Sequence, residues 1–108
     1  MPLLRFRAIE SKKIVSISRD LIDELQLLIG CPRDYFTLEA IESVFIKDGK
    51  TVSGYHIVEV SWFDRGQEVQ DNVAKIITNY VYSMGYDDVD IIFIPLEECK
   101  YYENGEHF

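Results

Sequence analysis

Residues 1–10, MPLLRFRAIE, open the chain with a proline behind a methionine and continue as an alternating run. Successive side chains of a β-strand point to opposite faces, so residues 3–9 predict a strand with two different faces. One face carries Leu4, Phe6 and Ala8, and the other carries Leu3, Arg5 and Arg7. The apolar face predicts a strand that packs on a core, and the rest of the chain must supply that core.

Pro2 carries the most distinctive chemistry of this run. If Met1 is removed in the cell, the ring nitrogen of Pro2 becomes a free secondary amine. Partial burial and neighbouring arginines disfavour a protonated amine, so we expect a pKa lowered toward neutrality, which suits a general base. The alternative is that the proline affects only the processing of the amino terminus.

The segments that follow alternate between helix and strand. Apolar residues at helical spacing predict one helix from a cap at Ser11 to Gly30 and a second between Gly66 and Gly85. Segments rich in β-branched and aromatic residues predict further strands, and the remaining segments predict a polar join and a tyrosine-rich, acidic tail. The strands are expected at 35–46, 56–63 and 88–94, the join at 47–54 and the tail at 97–108.

This order of elements predicts a β-α-β unit that occurs twice, in pseudo-repeats at about 2–47 and 55–96. Both repeats belong to a single domain that spans residues 1–108. Right-handed crossovers make the strands within each unit parallel. The expected fold class is α/β (α+β), with a four-stranded mixed sheet and both helices on one face. The ferredoxin-like fold has the same linear order of helices and strands and remains an alternative. The other sheet face, expected to carry Val, Ile, Trp and Phe, would need a partner subunit.

Composition narrows the functional classes. The 108 residues include 19 acidic and 11 basic side chains, a net charge of −8, which disfavours binding to nucleic acid. No apolar run approaches the ~20 residues of a membrane helix, so no membrane partner is expected. The two cysteines, Cys31 and Cys99, match no metal spacing, and no export signal precedes them. We therefore expect a cytoplasmic protein without metal or cofactor.

Two arginines are candidates for binding a carboxylate. Arg65 lies at a strand-to-helix junction, where a helix amino terminus also favours anions, and Arg33 has the equivalent place in the first half. The alternative for each is a salt bridge to one of the acids.

Aromatic residues are candidates for a pocket wall. Trp62 and Phe63 lie at a strand end, Tyr35 precedes the second strand, and Tyr101 and Tyr102 begin the last stretch of the tail. The alternative is that they fill a core or a subunit interface.

Taken together, these features resemble the tautomerase superfamily, which includes macrophage migration inhibitory factor, and in particular an uncharacterised small bacterial branch of it. The resemblance spans the chain and is carried by the Met-Pro start, the duplication and three stretches. These are GCPRDYFTL at 30–38, WFDRGQEVQDNVAKIIT at 62–78 and YYENGEHF at 101–108.

The resemblance implies a trimer whose active site lies at a subunit boundary, with Pro2 as general base and acid and Tyr35 and Phe63 near the pocket wall. The chain departs from the migration-inhibitory pattern at Cys31, where that family places a lysine. It also departs at Asp90 and Ile92 of the fourth strand, and an aspartate near Pro2 would oppose a lowered pKa.

The first functional hypothesis is enol–keto proton transfer on a small 2-oxo or 2-hydroxy-dienoic acid, with Pro2 moving the proton. Arg65 or Arg33 would hold the carboxylate, and Tyr35, Phe63, Trp62 and Tyr102 would line the substrate site. The second hypothesis is a catalytically silent, oligomeric binding module on the same scaffold. The third is a ferredoxin-like sensor of small molecules, which strand order would exclude.

Overall fold

The computed structural model describes residues 1–108. In chain order the elements are β1 (Leu3–Arg7), α1 (Ser11–Ile29), β2 (Thr37–Ile41), β3 (Phe45–Lys47), β4 (Lys50–Val52), β5 (Ile57–Trp62), α2 (Gln67–Ser83), β6 (Asp90–Pro95), β7 (Tyr102–Glu103) and β8 (Glu106–His107). Two short 3-10 helices, Arg33–Tyr35 and Glu98–Lys100, precede β2 and β7. None of the helices has both the length and the apolar character needed to cross a membrane.

The main sheet has the strand order β2-β1-β5-β6. β1 pairs in parallel with β2, β5 pairs in parallel with β6, and the two halves meet where β1 pairs antiparallel with β5. In a ferredoxin-like fold another strand lies between the two parallel strands of each β-α-β unit. Here the parallel strands are direct neighbours, which excludes that alternative and confirms the expected four-stranded mixed sheet with two helices.

The core lies between the sheet and the helices. Leu4 and Phe6 of β1 and Val58 and Val60 of β5 are completely buried. The helices contribute apolar stripes that include Leu21, Leu25, Val73, Ile77 and Val81, also completely buried. Burying such a side chain stabilises the fold by about 1.5–3 kcal/mol. The alternation within the opening run therefore determines which sheet face the helices cover.

Both helices end near glycines, as expected. Gly30 adopts a left-handed conformation at φ 80° and donates its backbone N–H to the carbonyl of Gln26 at 2.8 Å. Gly85 also has a positive φ, 98°, just after α2. The first helix begins at Ser11 with Glu10 as its cap residue, so the expected cap at Ser11 is wrong by one position.

The open face of the sheet does not carry the Val, Trp and Phe side chains that the sequence predicted for it. Val58, Val60 and Trp62 lie on the helix-covered face, because they share the parity of the buried positions of β5. The middle of the open face instead carries two cross-strand ion pairs. Arg5 Nε lies 3.3 Å from Glu39 Oε1, and Arg7 Nη2 lies 3.1 Å from Glu59 Oε1. Apolar residues, among them Leu3, Ile41, Ile57, Ile92 and Ile94, surround these pairs.

Three segments fold differently from the expectation. The strand expected at 35–46 is shorter, Thr37–Ile41, and the expected join at 47–54 takes part in the β3–β4 hairpin. The expected tail contains the β7–β8 hairpin. Asp48-Gly49 and Asn104-Gly105 turn these hairpins with positive φ at both residues, as two-residue turns of this composition do. The first dipeptide lies in the segment expected as a polar join, and the second lies in the segment expected as an acidic tail.

Candidate active site

The candidate site lies at the end of the sheet where β1 begins. The two ends of the sheet, which run across the ends of its strands, are called its two edges. Thr37 donates its backbone N–H to the carbonyl oxygen of Pro2 at 3.0 Å, and Leu3 pairs with Thr37 on one side and Ser61 on the other. β2 therefore begins at this edge, whereas the antiparallel β5 ends at it. The topology brings the connection after α1 and the connection after β5 to the amino terminus.

The amino terminus is held against this edge in a partly water-excluded position. The ring of Pro2 is less than 2% exposed, and Met1 is half-buried above it. Burial lowers the pKa of the Met1 amino group below its ordinary value of 8.0. The Coulomb influence of Cys31 partly offsets this lowering of the pKa, and the Arg65 guanidinium lowers it further. The terminal nitrogen is thus biased toward its neutral, proton-accepting form.

Arg65 has no carboxylate partner in the chain. The chain has five ion pairs and none of them involves Arg65. Its neighbour Asp64 is already engaged, because its Oδ1 accepts the backbone N–H of Gly66 at 2.8 Å in the turn that precedes α2. The Arg65 side chain is exposed, so its positive charge is free to meet an anion from solution.

The other arginine candidate has a partner. Arg33 Nη1 pairs with Asp23 Oδ1 on α1, and both side chains are about half exposed. Arg33 therefore forms a salt bridge within the chain, as Arg5 and Arg7 also do. At this edge Arg65 is the arginine whose guanidinium is not already paired.

The aromatic candidates fall into different environments. Phe63 is half-buried and packs against Tyr101 and Phe108, with ring centroids 5.6 and 5.7 Å away, and these two rings lie 4.8 Å apart. Tyr102 belongs to β7 instead and meets His107 edge-on.

Tyr35 and Trp62 differ most in exposure. Tyr35 is 46% exposed on the 3-10 helix before β2. Trp62 is only 1% exposed and packs on Phe93, with ring centroids 5.1 Å apart, so it belongs to the core behind the edge. Tyr35 is therefore presented to solvent, Phe63 is partly covered by the tail, and Trp62 belongs to the core.

Comparison with known proteins agrees with this geometry. The family described as a domain of unknown function, DUF1904, matches residues 1–107. The chain belongs to the DUF1904 family. A solved DUF1904 structure from Sebaldella termitidis is 41% identical over the whole of both chains, with a TM-score of 0.91. No curated protein matches the sequence.

More distant solved structures share the fold. A macrophage migration inhibitory factor-like protein from Entamoeba histolytica is 15% identical over 99% of this chain and 98% of its own, with a TM-score of 0.75. A fused 4-OT asymmetric trimer is 9% identical over 97% of this chain and 94% of its own, with a TM-score of 0.81. The DUF1904 chain thus has the tautomerase fold, and the resemblance inferred from the sequence is confirmed.

The structure changes the interpretation of two residues of this DUF1904 protein. The sequence singled out Cys31 only as a departure from the migration-inhibitory pattern, yet it is one of the two residues whose charge can act on the Met1 amino group. Its position directly after a helix-ending glycine was visible in the sequence, but its distance from the amino terminus was not. Asp90 had been expected to act near Pro2. It pairs with Ile57 at the far end of the sheet, so within one chain it does not influence the terminal amine.

A further cavity of the DUF1904 chain lies at the opposite edge of the sheet. It is an open groove of about 1070 Å³ between the connection from β1 to α1 and the segment that follows β2. Residues 8–12 and 40–44 line it. None of the candidate residues from the sequence reaches this groove, and no set of three His, Cys, Asp or Glu side chains in the chain could hold a metal ion.

Proposed function

We propose that this DUF1904 protein is a tautomerase that interconverts the enol and keto forms of a small 2-oxo or 2-hydroxy-dienoic acid. After removal of Met1, the secondary amine of Pro2 is the general base and acid. The observation that carries the proposal is the buried position of Pro2 at the amino terminus, where burial and, to a smaller extent, Arg65 lower the pKa of the Met1 amino group and Cys31 opposes them. A base that is neutral near physiological pH can take a proton from the substrate and return it to another atom.

Arg65 is the proposed anchor of the substrate carboxylate. A guanidinium binds a carboxylate through two parallel hydrogen bonds, which fixes the substrate's orientation as well as its position. Because Arg65 has no internal partner, binding does not have to break an existing ion pair. Arg33 is a secondary anchor in this proposal, since a substrate would have to compete with Asp23 for it.

The aromatic residues complete the proposed site. Phe63 and Tyr35 form the wall nearest the amino terminus, and Trp62 supports that wall from the core. Tyr102 is 62% exposed on the β7–β8 hairpin, and we assign it to the outer rim.

The proposed assembly is a homotrimer in the cytoplasm, with sites at subunit boundaries. Support comes from the open sheet face and from two exposed apolar residues, Val44 just before β3 and Ile46 within β3, which are 74% and 73% exposed. The likeness to a fused 4-OT trimer supports the same assembly. Burying these side chains between subunits would remove apolar surface from water.

A second candidate function is a binding module without catalysis. This function requires that Met1 is retained in the cell, because the nitrogen of Pro2 is then part of an amide and has no basic electron pair. The two functions therefore require different states of the Pro2 nitrogen, a free secondary amine for the tautomerase and an amide for the binding module.

The test is turnover of phenylpyruvate and 2-hydroxymuconate by untagged protein whose mass shows that Met1 has been removed. We expect measurable turnover, and a loss of about 100-fold or more in Pro2→Ala, the usual scale for a positioned acid–base group. Pro95→Ala is the matched control, because Pro95 is an exposed proline at the end of β6. Absence of turnover in correctly processed protein would refute the tautomerase and favour the binding module.

A further inference from the structure

The last residues of the chain, 101–108, form a small hairpin at the amino-terminal edge, which we call the tail hairpin. Its strands, β7 and β8, pair with each other and with no strand of the main sheet. At its base, Phe108 donates its backbone N–H to the carbonyl of Tyr101 at 3.0 Å. The chain reaches the hairpin from the end of β6, where Leu96 donates its N–H to the carbonyl of Trp62 at 2.7 Å. The tail hairpin therefore starts beside the end of β5.

Phe63 is the residue of the main body on which the tail hairpin packs. The antiparallel register of β1 and β5, continued by two residues, sets Phe63 level with Met1. The Phe108 ring stacks on the Phe63 ring, with centroids 5.7 Å apart and planes 30° apart. The Tyr101 ring is tilted against Phe63 at 5.6 Å and lies 4.8 Å from Phe108. The base of the tail hairpin thus covers an aromatic ring at the candidate site.

The tail hairpin has no polar link to the rest of the chain. None of the ion pairs involves a residue of the hairpin, and its one side-chain hydrogen bond is internal, between His107 Nδ1 and the carbonyl oxygen of Phe108. Phe108 is also 46% exposed. Ring packing on Phe63 is therefore the specific interaction that holds the hairpin, and a segment held by so few buried contacts opens locally more easily than the core does.

A substrate that carries an aromatic ring needs the surface that Phe108 already occupies. Aromatic rings prefer offset-stacked or tilted arrangements, and Phe63 has one neighbour of each kind. Arg65, the proposed carboxylate anchor, lies two residues beyond Phe63 in the chain. An aryl acid held on Arg65 can stack on Phe63 only after Phe108 has left, whereas an aliphatic acid has no ring to place there.

We propose that Phe108 and Tyr101 form a displaceable cover of Phe63, which makes the amino-terminal site selective for aliphatic over aryl 2-oxo acids. The inference rests on the proposed function, from which the site and its carboxylate anchor are taken. Phe108 competes with the aryl group for Phe63, so the apparent Kd of an aryl acid is the intrinsic Kd divided by the fraction of uncovered protein. Removing the Phe108 ring therefore tightens aryl-acid binding, whereas removing a ring that contacts the substrate weakens it.

The experiment compares two unreactive acids that differ in one group. trans-Cinnamate carries a phenyl group where crotonate carries a methyl group, and NMR titration gives the Kd of each. We expect the Kd of cinnamate to fall by about 2- to 10-fold in Phe108→Ala, the range of one aromatic pair. Phe108→Tyr keeps the ring and should bind cinnamate as wild type does. Crotonate should bind all three proteins alike, and Tyr82→Ala, an exposed ring on α2, is the control.

The location of the effect is tested by a double replacement. In a Phe63→Ala background the Phe108 ring covers nothing, so adding Phe108→Ala should not tighten cinnamate binding further. Weaker or unchanged cinnamate binding in Phe108→Ala would overturn the proposal, as would the absence of cinnamate binding to either protein. A gain of the same size in the Phe63→Ala background would place the aryl ring elsewhere and would overturn it as well.

Wild-type protein supplies a measurement that needs no variant. The N–H of Phe108 is hydrogen-bonded at the base of the tail hairpin, so its hydrogen exchange reports the opening of that base. Cinnamate should accelerate exchange in the peptide that contains the hairpin, and crotonate should not. Exchange in β5 should not respond to either acid. Slower exchange of the hairpin with cinnamate would mean that the hairpin closes on the ligand, which contradicts the proposal.

The two proposals fail separately. An inactive, correctly processed protein whose cinnamate binding tightens in Phe108→Ala would refute the tautomerase and leave the cover of Phe63 standing. Turnover that depends on Pro2, with cinnamate binding that does not tighten in Phe108→Ala, would support the tautomerase and refute the cover.

Discussion

The two edges of the main sheet hold different polar groups in different surroundings. At the edge away from the amino terminus, Tyr86 accepts the N–H of Glu10 at 3.1 Å, Lys13 lies 4.7 Å from the Tyr86 ring centroid, and His56 bonds to Asp88 at 3.1 Å. At the amino-terminal edge, Arg65 has no carboxylate and the terminal amine is partly desolvated.

The open groove of about 1070 Å³ nevertheless lies at the edge that holds Tyr86 and His56. A groove offers room, but a reaction that moves a proton needs a group whose protonation can change near neutral pH. Desolvation of a titratable group therefore indicates the functional edge better than volume does. The predictions below test this difference between the edges, beginning with the largest expected effect.

Replacing Trp62 by alanine should lower the free energy of unfolding more than any other change proposed for the two edges. Its side chain is 1% exposed, so the change leaves a cavity in the core and should cost about 3–5 kcal/mol in free energy of unfolding, measured by urea denaturation. Tyr82→Ala is the control, because Tyr82 is 51% exposed on α2 and should change stability far less. Equal losses from the two variants would show that Trp62 does not support this edge.

Replacing Arg65 by glutamine should weaken substrate binding. Hydrogen bonds to charged groups contribute about 1.5–3 kcal/mol, so kcat/KM for a carboxylate substrate should fall by about 10-fold or more. Lys12→Gln removes one positive charge from the groove at the opposite edge and should leave kcat/KM nearly unchanged. A larger loss in Lys12→Gln would transfer the proposed site to that groove.

Replacing Tyr86 by phenylalanine should have the smallest effect. The variant loses the hydrogen bond from the Glu10 N–H but keeps the ring beside His56, with centroids 4.4 Å apart. We expect a loss of about 0.5–1.5 kcal/mol in free energy of unfolding and unchanged turnover in the processed protein. Tyr55→Phe removes a hydroxyl from an exposed tyrosine and is the matched control. A loss of turnover in Tyr86→Phe would mean that the two edges are not independent.

Much of the fold was accessible from local patterns. The alternation of Leu4 and Phe6 with Arg5 and Arg7 predicted the buried face of β1, since a strand has a period of two residues. The hairpin turns at Asp48-Gly49 and Asn104-Gly105 were also readable, because such dipeptides favour positive φ at both positions. They were missed because the surrounding residues are polar.

The candidate site was less accessible, because its properties come from pairs of residues far apart in the chain. Arg33 and Arg65 occupied equivalent positions in the two halves, yet one has a carboxylate partner on α1 and the other has none. Likewise, Phe63 and Trp62 are neighbours in sequence, but strand parity places one near the surface and the other in the core.

The sequence by itself determined the two β-α-β units, their helix-ending glycines and the strand that begins behind Pro2, because periodicity, backbone conformation and right-handed crossover act locally. The tertiary structure alone decided the strand order and thereby the meeting of the amino terminus with Cys31 and Arg65. The physical reason is that desolvation and Coulomb interaction depend on distance in space, and the antiparallel pairing of β1 with β5 sets that distance.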